Sequence, residues 1–418
     1  MKKYFILFLF LILLAFNCNK ATENGNDEDT NNSNIPIPTQ LIQPSDLEYM
    51  GAFRLPDGTG EIVNSWEWGG FALTYCPEGD KNGENDGYPG SLYGTGHAWE
   101  YRISEISIPK PVISKNKVLS ELPRAKTIQK FKDILNISNY EIPRVGITYL
   151  PKQENQNSAK LYFCIGQHYQ EPSDLTHGRC ELDLSNPKKA GNWYIDTPHH
   201  EYCTNDYMFE IPKNWADEYI DGYQLATGRF RDGGWSGQGP SLFAVAPWKQ
   251  GNPPSNGTKL NFKTLLKYTS TEDLDQTQHK MKNYHNSDEW QGAVWLTKGD
   301  KAAVVFVGTK GRGECWYGNQ DGPCLECDNR GWWSTYLDGI ILFYDPDDFK
   351  KVIEGRSKPY EPQPYTSLNI DKYLFHINSN QQKDHLGAVA FDRDRGYLYI
   401  AEPYVDKDKP IIHVFKLK

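Results

Sequence analysis

The chain has 418 residues, 13% of them aromatic, with 12 Trp, 26 Tyr and 18 Phe. That much aromatic area can fill a large core, which excludes an intrinsically disordered protein. The formal net charge of −9 excludes a nucleic-acid binder held by phosphate contacts, and the only long apolar run is N-terminal, which excludes a polytopic membrane protein.

Met1-Lys2-Lys3 is a short basic segment, and Tyr4–Phe16 (YFILFLFLILLAF) is almost pure hydrocarbon and aromatic. The run is too short to span a bilayer comfortably and has the length of an export-signal core. Cys18 follows directly. A Cys in that place resembles a bacterial lipoprotein signal, although Phe16 and Asn17 stand where small residues are usual. The resemblance implies cleavage and lipidation at Cys18; an ordinary signal peptide or an uncleaved anchor is the alternative. Residues 1–18 are thus read as a leader and the body of the protein as exported. Residues 19–43 lack aromatics, are rich in Asn, Asp and Glu, and read as a flexible polar tether. The expected layout is a lipid anchor, a tether and one globular domain over 44–418, facing the periplasm or the cell surface as a monomer.

Short β-rich runs separated by Gly, Pro, Asn and Asp fill the domain. Four first strands share a polar head, a Gly and an apolar tail: 67–73 (EWGGFAL), 143–149 (PRVGITY), 289–295 (EWQGAVW) and 384–390 (DHLGAVA). Second strands follow at 91–97, 160–168, 302–310 and 397–403, and third strands at 101–109, 179–185, 339–346 and 411–417. A less regular unit occupies 204–212, 223–232, 240–248 and 264–270. Five such units predict an all-β, five-bladed β-propeller. The last unit ends at its third strand, so the segment 47–56 (LEYMGAFRLP) is expected to supply its outer strand and close the ring. Six or seven blades, with one hidden in 185–288, and a β-sandwich are the competing architectures.

In a propeller, first-strand starts and second-strand ends share one face. The repeat register therefore gathers Glu67, Arg144, Asp206, Glu289, Asp384 and His385 in one ring, and His97, His168, Arg229, Arg231, Lys310, Arg312 and Glu402 in a second. Trp68, Trp99, Tyr169, Trp235, Trp290 and Trp316 flank them. Carboxylates, cations and aromatics converging on a channel mouth suit a carbohydrate or another polar ligand, because aromatic faces stack on sugar rings and charged groups bind hydroxyls. Glu67, Glu289 and Asp384 occupy one repeat position in three units, and glycoside hydrolysis needs two carboxyl groups. The arrangement resembles the five-bladed propeller glycosidases, in architecture only; the resemblance implies catalytic acids among these three and assigns no individual role. A polar, water-filled mouth of a non-catalytic glycan- or protein-binding propeller is the alternative. A metal-dependent hydrolase or lyase using His97, His168 and His385 is a further one; no close-spaced ligand motif such as HExxH supports a metal, and His199 and His200, adjacent on a strand, would point apart.

The segment 228–241 (GRFRDGGWSGQGPS) combines Arg229, Arg231, Asp232 and Trp235 with five glycines. It matches neither a phosphate loop nor a nucleophile elbow. It reads either as a loop offering Arg to an acidic ligand group or as a tight inter-strand loop. In 79–91, Asp80, Asn82, Asn85 and Asp86 offer oxygen ligands for Ca²⁺, or form a solvated acidic turn. Beyond Cys18 there are seven Cys. Export favours disulfides: Cys180–Cys203 is one candidate pair, and Cys315, Cys324 and Cys327 crowd one loop as a local disulfide or part of a Zn²⁺ site. Cys164 reads as a buried thiol.

Overall fold

The structure, a computed structural model, describes residues 36–418 except 59, 81, 172–173, 197–201, 271–278 and 320–329. The expected leader, Cys18, His199, His200, Cys324 and Cys327 lie outside the described residues. No helix among those residues is long and apolar enough to cross a membrane.

Five antiparallel sheets follow one another along the chain. Blade 1 is β3 (Leu73–Cys76), β4 (Ser91–Thr95), β5 (Ile103–Ser107) and β6 (Thr127–Lys132). Blade 2 is β7 (Arg144–Leu150), β8 (Lys160–Gly166), β9 (His177–Cys180) and β10 (Ala190–Trp193). Blade 3 is β11 (Tyr207–Glu210), β12 (Leu225–Gly228), β13 (Leu242–Val245) and β14 (Phe262–Leu266). Blade 4 is β15 (Glu289–Lys298), β16 (Lys301–Tyr317), β17 (Trp332–Tyr344) and β18 (Thr366–Asn369). Blade 5 is β19 (Val389–Asp392), β20 (Tyr397–Tyr404), β21 (Asp408–Leu417) and, from the other end of the chain, β2 (Leu47–Arg54). Each inner strand packs against the next, β3 on β7, β7 on β11, β11 on β15, β15 on β19 and β19 back on β3. This is a closed five-bladed β-propeller, with no sixth or seventh blade among the described residues of 185–288.

The repeated glycines have a steric cause. A Cβ on Gly146 would stand 2.7 Å from the Tyr207 backbone, and one on Gly292 would stand 2.9 Å from the Val389 nitrogen. Inner strands of adjacent blades touch there, and a side chain would push them apart. The blades are glued by apolar layers between them. Leu73, Leu92 and Tyr399 lie between blades 5 and 1, Tyr93, Ile147 and Phe163 between 1 and 2, and Tyr162, Met208 and Trp248 between 2 and 3. The largest layer joins blades 3, 4 and 5 around Trp215, Trp290, Trp295 and Phe306. Two short helices, α1 (Lys213–Tyr219) and α2 (Pro346–Ile353), add Trp215 and Phe349 to it.

The ring closes where expected. β2 pairs with β21, with Tyr49 opposite Phe415 and Ala52 opposite His413. Residues 39–42, expected to lie in a tether, are instead held in the fold. β1 (Gln40–Leu41) runs parallel to β16, Thr39 bonds to Asp300, and Ile42 is fully buried. A buried polar chain pins the closing blade: the Tyr49 hydroxyl lies 3.0 Å from His413 Nδ1, and His413 Nε2 lies 2.7 Å from Glu402 Oε2. The Phe375 and His376 amides donate to the same carboxylate. Glu402 is therefore a structural acid and not a mouth residue. Glu402→Ala leaves an imidazole and two amides without their acceptor, and should cost about 2–4 kcal/mol, read as a melting temperature several degrees lower by calorimetry.

The disulfide Cys180–Cys203 does not form. Cys180 is a free buried thiol on β9, and the Cys203 sulfur lies 3.6 Å from the Ser236 carbonyl oxygen. Cys315 is likewise a free thiol, and Cys164 is a buried one as expected. Burial pushes the Cys180 thiol up to about 12, so it is held protonated and unreactive.

Candidate functional site

The axial channel is nearly closed at its waist. About 10 Å³ remains between Ala72, Gly146, Asp206, Gln291, Gly292 and Ala388. The waist separates two mouths. The first is made by inner-strand starts and second-strand ends, as the repeat register required.

Glu289 opens β15, and a β-bulge leaves Gln291 as the extra residue of that strand opposite β16. Gln291 Nε2 lies 3.2 Å from Glu289 Oε2 and 3.4 Å from Asp384 Oδ1. One amide nitrogen thus bridges a carboxyl group of blade 4 and one just ahead of β19 in blade 5. The shared nitrogen holds the two oxygens under roughly 7 Å apart, so the two carboxyl groups face one another across a single amide. Both carboxyls are half-buried. Burial pushes the Glu289 carboxyl up to about 7; Asp232 and Asp384 push the same way, while Lys383 and Arg144 oppose. Lys383 lies 4.7 Å over the Trp333 ring and 3.4 Å from Asp232 Oδ2. Burial works against its ammonium, but Glu289, Asp232 and Asp384 outweigh that and raise its pKa. Asp384 itself has φ +53°, a left-handed conformation that costs a non-glycine residue about 1–3 kcal/mol and occurs preferentially at functional sites.

Aromatic side chains rim this floor. Trp68 (48% exposed) and Trp99 (65% exposed) belong to blade 1 and flank His97. Trp68 also meets Tyr404 of blade 5 edge-on at 6.2 Å. Tyr169 of blade 2 is 59% exposed and lies 6.0 Å from Trp235 of blade 3. Blades 4 and 5 carry the carboxyl pair, and their neighbours in the ring are blades 3 and 1. The two platforms therefore lie on either flank of the pair. Beyond Lys310, β16 and β17 continue as a long two-stranded arm on this face; at its far end, where Trp332 pairs with Tyr317, the Trp332 amide donates to Asp232.

The other expected site residues are placed as follows. Glu67 lies in a turn ahead of β3 and bears on His97, which burial holds below the usual imidazole range. It therefore sits at the rim, and no hydrogen bond or ion pair joins it to Glu289 or Asp384 among the described residues. His168 is likewise lowered by burial, with Arg231 adding to the effect, and its Nδ1 lies 3.6 Å from Glu141. Arg229 is buried, with its Nε 3.4 Å from Asp206 Oδ1; Arg231 donates to the His168 carbonyl at 2.9 Å and stacks on Trp235 at 5.1 Å.

Three expected ligand contacts are corrected. Trp290 follows Glu289 on β15 and turns to the core, fully buried. Lys310 is sealed in an ion pair with Asp288 at 2.8 Å, both partners almost without solvent access. His385 turns away from the axis and pairs with Asp371 at 3.1 Å. The three histidines of the metal reading thus do not converge. No group of three or more His, Cys, Asp or Glu suited to a metal occurs among the described residues. In the 79–91 loop, Asp80 and Asp86 accept the Asn82 and Tyr88 amides, so both acids cap turns where Ca²⁺ was a candidate. Gln291, Lys383 and Tyr404 were not singled out from sequence. Gln291 is two residues from Glu289, and that spacing was the available signal.

At the second mouth a cavity of about 190 Å³ is lined by Thr74, Thr148, Glu210, Asp392 and Arg393, among others. Glu210 lies 3.6 Å from Arg393, and Asp392 lies 3.7 Å from Arg395. Asp394, which also lines the cavity, has no arginine within ion-pair distance among the described residues and bears on Glu210.

No family model and no curated protein matches this chain. Among solved structures it is similar to the β-propeller domain of Myceliophteria thermophila Cps50 (Swd1), at 11% identity over 82% of this chain and 96% of that one, with a TM-score of 0.26. It is also similar to an auxiliary nutrient binding protein from Bacteroides thetaiotaomicron VPI-5482, at 8% identity over 91% and 76%, with a TM-score of 0.31. The PQQ domain of pyranose dehydrogenase from Coprinopsis cinerea matches at 8% identity over 91% and 98%, with a TM-score of 0.32. Likenesses this distant carry no statement about what this chain binds.

Proposed function

We propose that this propeller is an exported, lipid-anchored carbohydrate-active protein whose first mouth cleaves glycosidic bonds with Glu289 and Asp384. The observation that carries the reading is the bridged pair: two half-buried carboxyl groups, from adjacent blades, on one amide nitrogen at the mouth that also carries the exposed Trp68, Trp99 and Tyr169. Glu289 is the proton donor to the leaving oxygen, because its burial favours the protonated form near neutrality. Asp384 is the carboxylate on the anomeric-carbon side, flanked by Lys383 and Arg144. The platforms of blades 1 and 3 hold sugar rings on either side. A purely binding propeller would need the rim and not a buried carboxyl that burial keeps protonated beside a second acid, which favours catalysis.

The test is release of new reducing ends from a polysaccharide panel at pH 6 by the purified exported chain. Activity is expected in the wild type and in Glu67→Gln. It is expected to vanish in Glu289→Gln combined with Asp384→Asn. A double variant as active as the wild type would refute the assignment.

A further inference from the structure

The charges of the first mouth are not evenly mixed. On the side of blades 4 and 5, Glu289, Asp384 and Asp232 face one ammonium, Lys383. On the side of blades 2 and 3 the balance reverses. Asp206 is buried there among three guanidinium groups, those of Arg229, Arg144 and Arg231. Arg229 takes the ion pair with Asp206. Arg144 lies 5.7 Å over the Phe71 ring, and its charge is balanced across the mouth by Glu289 and Asp384 as well as by Asp206. Arg231 has no carboxylate within ion-pair distance among the described residues, whereas Arg229, Lys310, Arg312 and Lys383 each have one. Of the other acids near this side, Glu141 reaches His168 and Asp174 accepts from Gln167 and the Glu171 amide. The repulsion is felt locally: after burial, Arg231 is the next cause holding the His168 imidazole neutral.

Arg231 is half-buried, and its fork is oriented by the His168 carbonyl and the Trp235 face. A guanidinium fixed in this way matches a planar or tetrahedral oxyanion in fork geometry. Tyr169, more than half exposed beside Trp235, offers a stacking face at the same spot. We propose that Arg231 and the Tyr169–Trp235 platform form a subsite for a sugar bearing an oxyanion, either a uronate carboxylate or a sulfate ester, so that the ligand of this mouth is an acidic glycan. The inference deepens the carbohydrate reading above and rests on it for the identity of the site. It places the acidic unit on the Glu289 flank, because blade 3 adjoins blade 4.

The experiment is calorimetric titration of the Glu289→Gln protein, which binds without turnover, with three oligosaccharide probes of equal length: an oligouronate, a sulfated oligosaccharide and a neutral one. One acidic probe is expected to bind about tenfold or more tightly than the neutral probe. Adding Arg231→Gln should bring the acidic probe down to the neutral one, while Arg231→Lys keeps part of the preference. Raising the salt should weaken only the acidic probe. The arm that responds identifies carboxylate or sulfate. Equal binding of neutral and acidic probes would overturn the proposal. So would acidic binding unchanged in an Arg231→Gln protein with an unaltered melting temperature, or absence of binding by both acidic probes. If acidic probes bind through Arg231 and the wild type never cleaves them, the hydrolase reading fails and this inference stands. If neutral glycans are cleaved and Arg231→Gln is indifferent, the reverse holds.

Discussion

Glu289→Gln is expected to lower kcat about 10²–10⁴-fold on a cleavable glycan while leaving KM within a few-fold of the wild type. The amide fills the same space and keeps a hydrogen bond with Gln291, but it has no proton to give to a leaving oxygen. The wild-type rate should fall as pH rises through about 7, where Glu289 loses that proton. The residual rate of the variant should lose that alkaline limb. Stability depends on the same proton. The folded pKa of Glu289 lies above its ordinary value of 4.5, so folding takes up a proton between those two values. Its contribution to stability is present below about pH 4.5 and is lost as pH rises through about 7. The variant, which never carries the buried charge, should therefore melt a few degrees above the wild type at pH 8 and level with it at pH 4. A pH–rate profile and a pH series of thermal melts check both halves. A variant that loses activity without altering either pH dependence would point to a general disruption and not to a proton donor.

Asp288→Ala is expected to be the most damaging single change to stability. It strips the counter-ion from Lys310, which has 4% side-chain exposure, and removes the acceptor of the Gly311 and His285 amides. Leaving a buried charge unpaired costs about 3–5 kcal/mol. The double change Asp288→Leu with Lys310→Met removes both charges and should recover most of that loss, because an apolar pair needs no desolvation. Denaturant titrations of the two proteins test the contrast. If the double variant were no more stable than Asp288→Ala, the ion pair would not be the source of the loss.

The architecture was legible because the strand heads repeat for a physical reason. The polar residue faces the mouth, the glycine lets adjacent inner strands touch, and the apolar tail fills the layer between blades. The closing strand was legible because blade 5 lacked a partner and 47–56 had strand composition near the other end of the chain. The direction of individual side chains was less legible. Glu289 and Trp290 are neighbours in sequence, and a period of two sends one to the mouth and the other into the core. His385 follows Asp384 in the same way and turns to Asp371. Lys310 lies inside β16, which runs on to Tyr317, and its partner Asp288 precedes β15, so the pairing of the two strands brings them together. Lys383 and Asp232 meet across blades 3 and 5 beneath the arm of blade 4, a contact between distant segments that no local pattern announces. The cysteines illustrate the same limit: export chemistry favoured Cys180–Cys203, but each is accommodated as a buried thiol in its own blade.

The central claim is that the carboxyl-bearing mouth, and not the opposite one, receives a glycan. A crystal structure of the Glu289→Gln protein soaked with the oligosaccharide that binds it most tightly tests this directly. The account predicts a sugar chain crossing blades 1, 5, 4 and 3, stacked on Trp68 or Trp99 at one end and on Tyr169 or Trp235 at the other, with a glycosidic oxygen within hydrogen-bond distance of residue 289. A sugar lodged instead in the cavity lined by Glu210 and Arg393, or crossing the first mouth without approaching residues 289 and 384, would contradict it.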